Sequence, residues 1–278
     1  ENEELRREKT SAALASVCAT VHMTPFEYSS ALEKEISIYK EIIPSAGNMY
    51  EIEGEEFNFE FIPSANNPAN DPIQSAVNGE NDASGNVVFD FADGFKWIYS
   101  EEGTYVYTVE EINDGIKGMT YDPTIYTIKV VVADDETKAQ LQTTVTINDV
   151  NTNEMKFTNR YAPENTTEVI QGLKVLTGNH KQLEANEFTF VLEALNNAPL
   201  PSKTEVKNNA DGTFEFPTIE FDHIGEYKYK VSEVDEGKRG YTYDLSVYDV
   251  TVTVTDNNGT LETEVEYVKD VTKADKAL

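Results

Sequence analysis

Two glutamates in this chain stand where a strand should bury its side chains. Side chains alternate across a β-strand with a period of two. In Tyr227-Lys228-Tyr229-Lys230-Val231-Ser232-Glu233 the odd positions hold Tyr, Tyr, Val and Glu, and the even ones Lys, Lys and Ser. With the Lys/Lys/Ser face toward water, Glu233 points into the core. Tyr105-Val106-Tyr107-Thr108-Val109-Glu110-Glu111 puts Glu111 in the same register. A buried carboxylate is costly unless it is neutral or paired, so each needs a partner. In Ile36-Ser37-Ile38-Tyr39-Lys40 the apolar face carries Lys40 with it, and in Met155-Lys156-Phe157-Thr158-Asn159-Arg160 it carries Asn159, while Lys156 and Arg160 face out. A strand-end lysine ordinarily snorkels and a strand-end asparagine ordinarily caps a turn. An amine, an acid and a carboxamide sharing one core are a different matter. An apolar site lowers the lysine pKa and makes the amine a nucleophile, and it raises the glutamate pKa so that the acid keeps its proton.

The elements that must position these groups recur. An offset of 122 takes Gly103 to Gly225, Tyr105 to Tyr227, Glu111 to Glu233, Gly118 to Gly240, Tyr121 to Tyr243, Asp122 to Asp244 and Tyr126 to Tyr248. Upstream, Glu56-Phe57-Asn58-Phe59 matches Glu187-Phe188-Thr189-Phe190 at a larger offset, so the intervening loops differ in length. Repeats of this size are tandem domains. We place domain 1 at residues 32–161, a short polar linker with one proline at 162–168, and domain 2 at 169–278. Nearly every periodic segment alternates, as in Ile125–Val132 and Tyr248–Val254, with turn chemistry at Ser84-Gly85-Asn86, Asp211-Gly212 and Asp256-Asn257-Asn258-Gly259. Strands at this spacing without helical patterns predict an all-β protein of two antiparallel, immunoglobulin-like β-sandwiches.

The formal net charge of −29 argues against binding a phosphate backbone. Three histidines (His22, His180, His223) and one cysteine, Cys18, give no zinc or Cys/His nucleophile pattern. No calcium loop, glycine-rich phosphate loop or other cofactor motif is present, and no internal segment is apolar enough to span a membrane. Residues 1–31 differ from the rest. Arg6, Arg7 and Lys9 precede the apolar run Ser11–Met23, and Ser29-Ser30-Ala31 offers small residues for cleavage. That layout predicts a secretory signal peptide, with an amphipathic leader helix as the alternative.

The segments Gly172-Leu173-Lys174-Val175-Leu176-Thr177-Gly178, Glu187-Phe188-Thr189-Phe190, Gly225–Glu233 and Phe157-Thr158-Asn159-Arg160-Tyr161 resemble the isopeptide-linked domains of Gram-positive major pilins. Related collagen-adhesin B-type modules share the fold. The resemblance covers residues 34–278. It implies an intramolecular amide between a Lys and an Asn side chain, assisted by the Glu of the Tyr-x-Tyr-x-Val-x-Glu segment. Carried over, Lys40, Asn159 and Glu111 form the domain 1 set, and Lys174 with Glu233 two thirds of the domain 2 set. The neutral amine attacks the amide carbon. Glu111, still protonated, is expected to hydrogen-bond the carboxamide oxygen and then to shuttle protons as ammonia leaves. This happens once per molecule, so it is self-crosslinking and not turnover.

Domain 2 lacks a visible partner for Lys174. The offset of 120 that aligns Leu141 with Leu261 maps Asn159 just past Leu278, and Asp270 or Asp275 is the acidic alternative. Lys174 is also ambiguous in facing, because Leu173 and Val175 form the more apolar set. The resemblance implies a secreted structural subunit of a cell-surface pilus, attached to the wall and assembled with other pilin subunits by a sortase, although the sequence shows no LPxTG-type signal. The alternative is an adhesin that binds a host protein or carbohydrate through the loop from Pro63 to Asn86, with Trp97 or nearby tyrosines as contacts.

Overall fold

The computed structural model describes residues 36–92, 97–135, 140–178 and 181–270. The leader with Cys18 and His22, as well as His180 and Asp275, lies outside the described residues. The chain divides into two compact units, one through Ser45 and from Met49 to Tyr161, the other Ala46–Asn48 and from Ala162 onward. Both are built from strands, and no helix among the described residues is long and apolar enough to cross a membrane.

The first unit holds β1 (Ser37–Pro44), β2 (Asn58–Pro63), β3 (Val77–Asn81), β4 (Val87–Phe89), β5 (Gly103–Glu111), β6 (Met119–Thr120), β7 (Ile125–Asp135), β8 (Gln140–Ile147) and β9 (Glu154–Tyr161). Six of them form an antiparallel sheet in the order β4-β3-β2-β5-β7-β8, and the other three a sheet β1-β9-β6. The alternating sequence decides what lies between the sheets. Ile36, Ile38, Met155 and Phe157 come from one, and Phe59, Phe61, Tyr105, Tyr107, Val109, Ile128 and Val130 from the other, all buried. Phe59 and Phe157 meet at 5.3 Å between ring centroids. Each such side chain contributes roughly 1.5–3 kcal/mol by leaving water.

One pairing departs from the antiparallel expectation. β1 and β9, the first and last strands of the unit, run parallel, with Lys40 opposite Phe157 and Ile42 opposite Asn159. Alternation fixes which face a residue occupies but is blind to strand direction. The parallel arrangement lays the entering and leaving ends of the domain side by side.

The second unit holds β10 (Thr166–Glu168), β11 (Gln171–Leu173), β12 (Thr189–Leu195), β13 (Glu205–Lys207), β14 (Thr213–Glu215), β15 (Ile219–Phe221), β16 (Gly225–Glu233), β17 (Val247–Asp256) and β18 (Leu261–Asp270). Its main sheet runs β13-β12-β16-β17-β18, faced by the pairs β10-β15 and β11-β14. Phe190 and Phe214 stack across its core with centroids 3.7 Å apart. The β17–β18 hairpin turns through Asn258 and Gly259 at φ of 51° and 83°, the conformation its Asn-Asn-Gly sequence favours.

Candidate functional site

Glu111 ends β5, opposite Phe59 of β2, and its odd-numbered register sends the side chain inward. It reaches the facing sheet where Lys40 of β1 and Asn159 of β9 also point inward. Lys40 and Asn159 are wholly buried, as is the Glu111 side chain. Glu111 Oε1 accepts a hydrogen bond from Lys40 Nζ and another, 2.9 Å long, from Asn159 Nδ2. Its second oxygen, Oε2, has no hydrogen-bond partner among the described residues. The three groups named from register therefore meet on a single carboxylate oxygen.

The carboxamide is turned the opposite way from the expectation. Its oxygen, Asn159 Oδ1, accepts from the main-chain N–H of Asp122 at 2.8 Å, so Glu111 touches the nitrogen end and not the oxygen. The reason lies in β6. This strand pairs with Tyr161 and Arg160 and then stops at Thr120, and the turn that follows presents the Asp122 N–H to the Asn159 side chain.

Burial pushes the Lys40 amine down from 10.5 to about 8, against the attraction of Glu111. Burial also raises the Glu111 carboxyl, opposed by Lys40 and by the hydrogen bonds from Lys40 and Asn159. Both shifts favour the neutral forms, and the two groups titrate as a coupled pair that shares one proton between its two proton losses. The fraction present as free amine with neutral acid is then set by proton exchange within the pair and not by the solvent. Any reaction needing that form should run at a rate that is flat between those two losses. It should fall roughly tenfold per unit in acid, as a second proton joins the pair, and decline above about 8 as the last one leaves. Refolding never-linked chain at a series of pH values, with mass measured at intervals, checks this. A rate climbing tenfold per unit from pH 6 to 10 would describe an ordinary exposed lysine instead.

Two supporting Phe–Asn pairs were given no role from the sequence. Lys40 Nζ lies 4.6 Å from the centroid of the Phe57 ring, and Lys174 Nζ lies 4.3 Å from that of Phe188. Each phenylalanine is held by a buried asparagine. Asn81 Oδ1 accepts from the N–H groups of Glu56 and Phe57 while its Nδ2 donates to the carbonyls of Glu53 and Asp82. Asn208 repeats this with Glu187, Phe188, Glu184 and Asn209. The signal was present as a second repeat, Asn81-Asp82-Ala83-Ser84-Gly85 against Asn208-Asn209-Ala210-Asp211-Gly212.

In the second unit Lys174 Nζ bonds both oxygens of Glu233, at 2.7 and 2.6 Å. The structure resolves its facing against the apolar set. Leu173 and Val175 are 63% and 65% exposed, whereas the Lys174 side chain is 10% exposed. Pairing with β14 fixes this orientation: Lys174 N–H donates to the Gly212 carbonyl at 2.8 Å. Gly212 is required there, at φ +92° and with a Cβ position 2.3 Å from the Lys174 carbonyl oxygen. A groove of about 440 Å³ opens beside the pair, lined by Lys174, Glu233, Asp244, Phe190, Phe214 and Tyr248 among others. Among the described residues no strand of this unit occupies the place that β9 holds in the first. Asp270 closes β18 opposite Val247.

The loop proposed for ligand contact is tied down. Trp97 and Tyr99 are buried, and the Trp97 ring packs edge-on against Phe61 and Tyr107, so Trp97 is a core residue and not a surface contact. Asn67 extends the sheet by accepting from the Val106 N–H and donating to its carbonyl, and Asp71 accepts from the Tyr107 hydroxyl at 2.7 Å. Among the described residues no cluster of three or more His, Cys, Asp or Glu side chains is arranged to hold a metal ion.

The family model described as FctA, Spy0128-like isopeptide containing domain, matches twice, over residues 34–162 and 170–277. No curated protein matches the chain. Among solved structures, the chain is similar to the major pilin protein T-13 from Streptococcus pyogenes at 20% identity and a TM-score of 0.33, over 84% of this chain and 94% of that one. It is also similar to another major pilin from Streptococcus pyogenes, at 15% identity and a TM-score of 0.35, over 83% and 95%.

Proposed function

The chain belongs to the FctA family of Spy0128-like isopeptide-containing domains, and on that premise we propose that it is a structural subunit of a Gram-positive surface pilus, hardened by an internal Lys40–Asn159 amide. The observation that carries this reading is the buried contact of Lys40, Asn159 and Glu111 at one oxygen. The subunit works in the secreted, wall-attached shaft, joined to further subunits by a sortase, and not as a turnover enzyme.

The geometry favours one route. Neutral Lys40 Nζ attacks Asn159 Cγ and a new Nζ–Cγ bond forms. The amine gives up a proton, the Cγ–Nδ2 bond breaks, and Nδ2 takes a proton and leaves as ammonia. Glu111 Oε1 already touches both nitrogens, so it can hand a proton to the leaving nitrogen and recover one from the amine without moving. No net proton or electron enters. The fold supplies the alignment that makes an amine attack on an amide feasible at ordinary temperature. Lys174 and Glu233 offer the same amine and acid in the second unit, where the reaction needs a carboxamide seated in the adjoining groove.

Mechanically, the bond would join the first and last strands of the domain. Tension entering at β1 and leaving at β9 would run through the covalent tie and bypass the sheets between. Immunogold labelling of cells producing the chain tests the assignment. Labels spaced along filaments are expected, and labels confined to the wall or to filament tips would contradict it.

A further inference from the structure

We propose that Asp122 is a positioning residue of the crosslinking reaction, its main-chain N–H holding the Asn159 carboxamide oxygen and its carboxylate fixing the strand that carries Asn159. The inference rests on the amide-forming reading above and adds to it a group that orients the electrophile.

Asp122 grips β9 at two adjoining points. Its N–H donates to Asn159 Oδ1 at 2.8 Å, and its Oδ2 accepts from the Thr158 main-chain N–H at 2.7 Å. The other carboxylate oxygen, Oδ1, accepts from the N–H and hydroxyl of Thr124 at 2.9 and 2.5 Å, which anchors the grip to the start of β7. The side chain thus takes over an edge of β9 that β6 has left at Thr120.

The chemical consequence comes from the two ends of a carboxamide. The Asn159 side chain could rotate by half a turn and exchange oxygen for nitrogen at nearly equal shape. Only an oxygen can accept from the Asp122 N–H, so that bond selects one orientation. In it the leaving nitrogen faces Glu111, the proton donor. The oxygen faces a fixed main-chain donor, where negative charge gathers once Lys40 attacks. A preorganised donor at such an oxygen is ordinarily worth on the order of 10²–10³ in rate. Glu111 is thereby left to the proton transfers alone.

The second unit shows the same turn. Asp244, at the offset of 122, accepts from the Ser246 N–H at 2.9 Å and lines the groove beside Lys174 and Glu233. The bond from the residue two positions on to the Asp side chain is thus made in both units, although among the described residues no β9-like strand lies in the second.

The test refolds never-linked chain and follows linkage of Lys40 to Asn159 by quenched mass spectrometry, in the native sequence and in Asp122→Ala and Asp122→Asn. Alanine keeps the main-chain N–H but releases its anchors at Thr158 and Thr124, and the misplaced donor should slow linkage at least ~10-fold while the folding phase is unchanged. Asparagine keeps one carbonyl for the Thr158 N–H and should recover part of the rate. In folded, unlinked Glu111→Ala protein the residue 122 amide proton should resonate downfield and exchange slowly, and both features should vanish when Asn159→Ala is added. Native-rate linkage in Asp122→Ala, or a residue 122 amide indifferent to Asn159→Ala, would overturn the proposal. Absence of linkage in the native sequence would instead bring down the amide reading on which it rests.

Discussion

Glu111→Ala should yield a folded first domain that retains its full mass, with Lys40 and Asn159 unlinked and its midpoint of thermal unfolding lowered by at least ~15 °C. Two losses act together. The native bond would close a loop of roughly 120 residues, for which the chain-entropy argument gives about 4–5 kcal/mol, as for a disulfide of that span. The variant also strands the Lys40 amine in the core with its carboxylate gone, a change that ordinarily costs about 3–5 kcal/mol for a buried pair. The stranded amine leaves a mark in pH. Burial holds it below 10.5 in the folded state, so between the folded and unfolded values the unfolded chain binds more protons. Stability of Glu111→Ala should therefore rise with pH toward 10.5, and adding Lys40→Met should abolish that slope. Thermal melts from pH 7 to 10 check both. A fully linked Glu111→Ala protein would remove the glutamate from the chemistry.

Asn208→Ala should destabilise the second domain by about 3 kcal/mol, although the residue takes no part in the chemistry. The side chain is buried and makes four hydrogen bonds, two of them from the N–H groups of Glu187 and Phe188. Truncation leaves those donors unanswered and loosens the backbone of Phe188, the ring over Lys174. Asn208→Asp preserves the acceptor, loses both donors and buries a charge, so it should not rescue. Denaturant unfolding followed by a probe confined to the second domain measures the difference. A change below 0.5 kcal/mol would mean that water replaces the amide without cost.

Much of the site could be read from alternation. Period-two patterning requires Glu111, Lys40 and Asn159 to share the apolar side of their strands, and the structure brings all three to one oxygen. The two-domain organisation followed from the offset repeat, and the all-β class from alternation and the spacing of turns. What alternation could not reach is instructive. Strand direction leaves no mark in a period of two, so the parallel pairing of β1 with β9 stayed hidden. Lys174 follows a strand of only three residues, too short for its apolar neighbours to decide its facing, and a main-chain bond to Gly212 decides it instead. Trp97 looked like a candidate ligand contact from sequence, yet the ring closes an aromatic cluster drawn from distant strands. The orientation of the Asn159 carboxamide depends on a main-chain N–H, which every residue but proline carries and no composition can single out. The repeated Tyr-Asp at 121–122 and 243–244 was the available clue.

The most direct measurement is the intact mass of the purified native chain, followed by peptide mapping around residues 40 and 159. The account predicts a deficit of at least one ammonia and a branched peptide joining Lys40 to Asn159. A second deficit mapping to Lys174 would show that the groove of the second domain also receives a carboxamide from this chain. A folded protein with its full mass and separate Lys40 and Asn159 peptides would contradict the account, leaving the buried Lys40–Glu111–Asn159 cluster as a hydrogen-bonded core and no more.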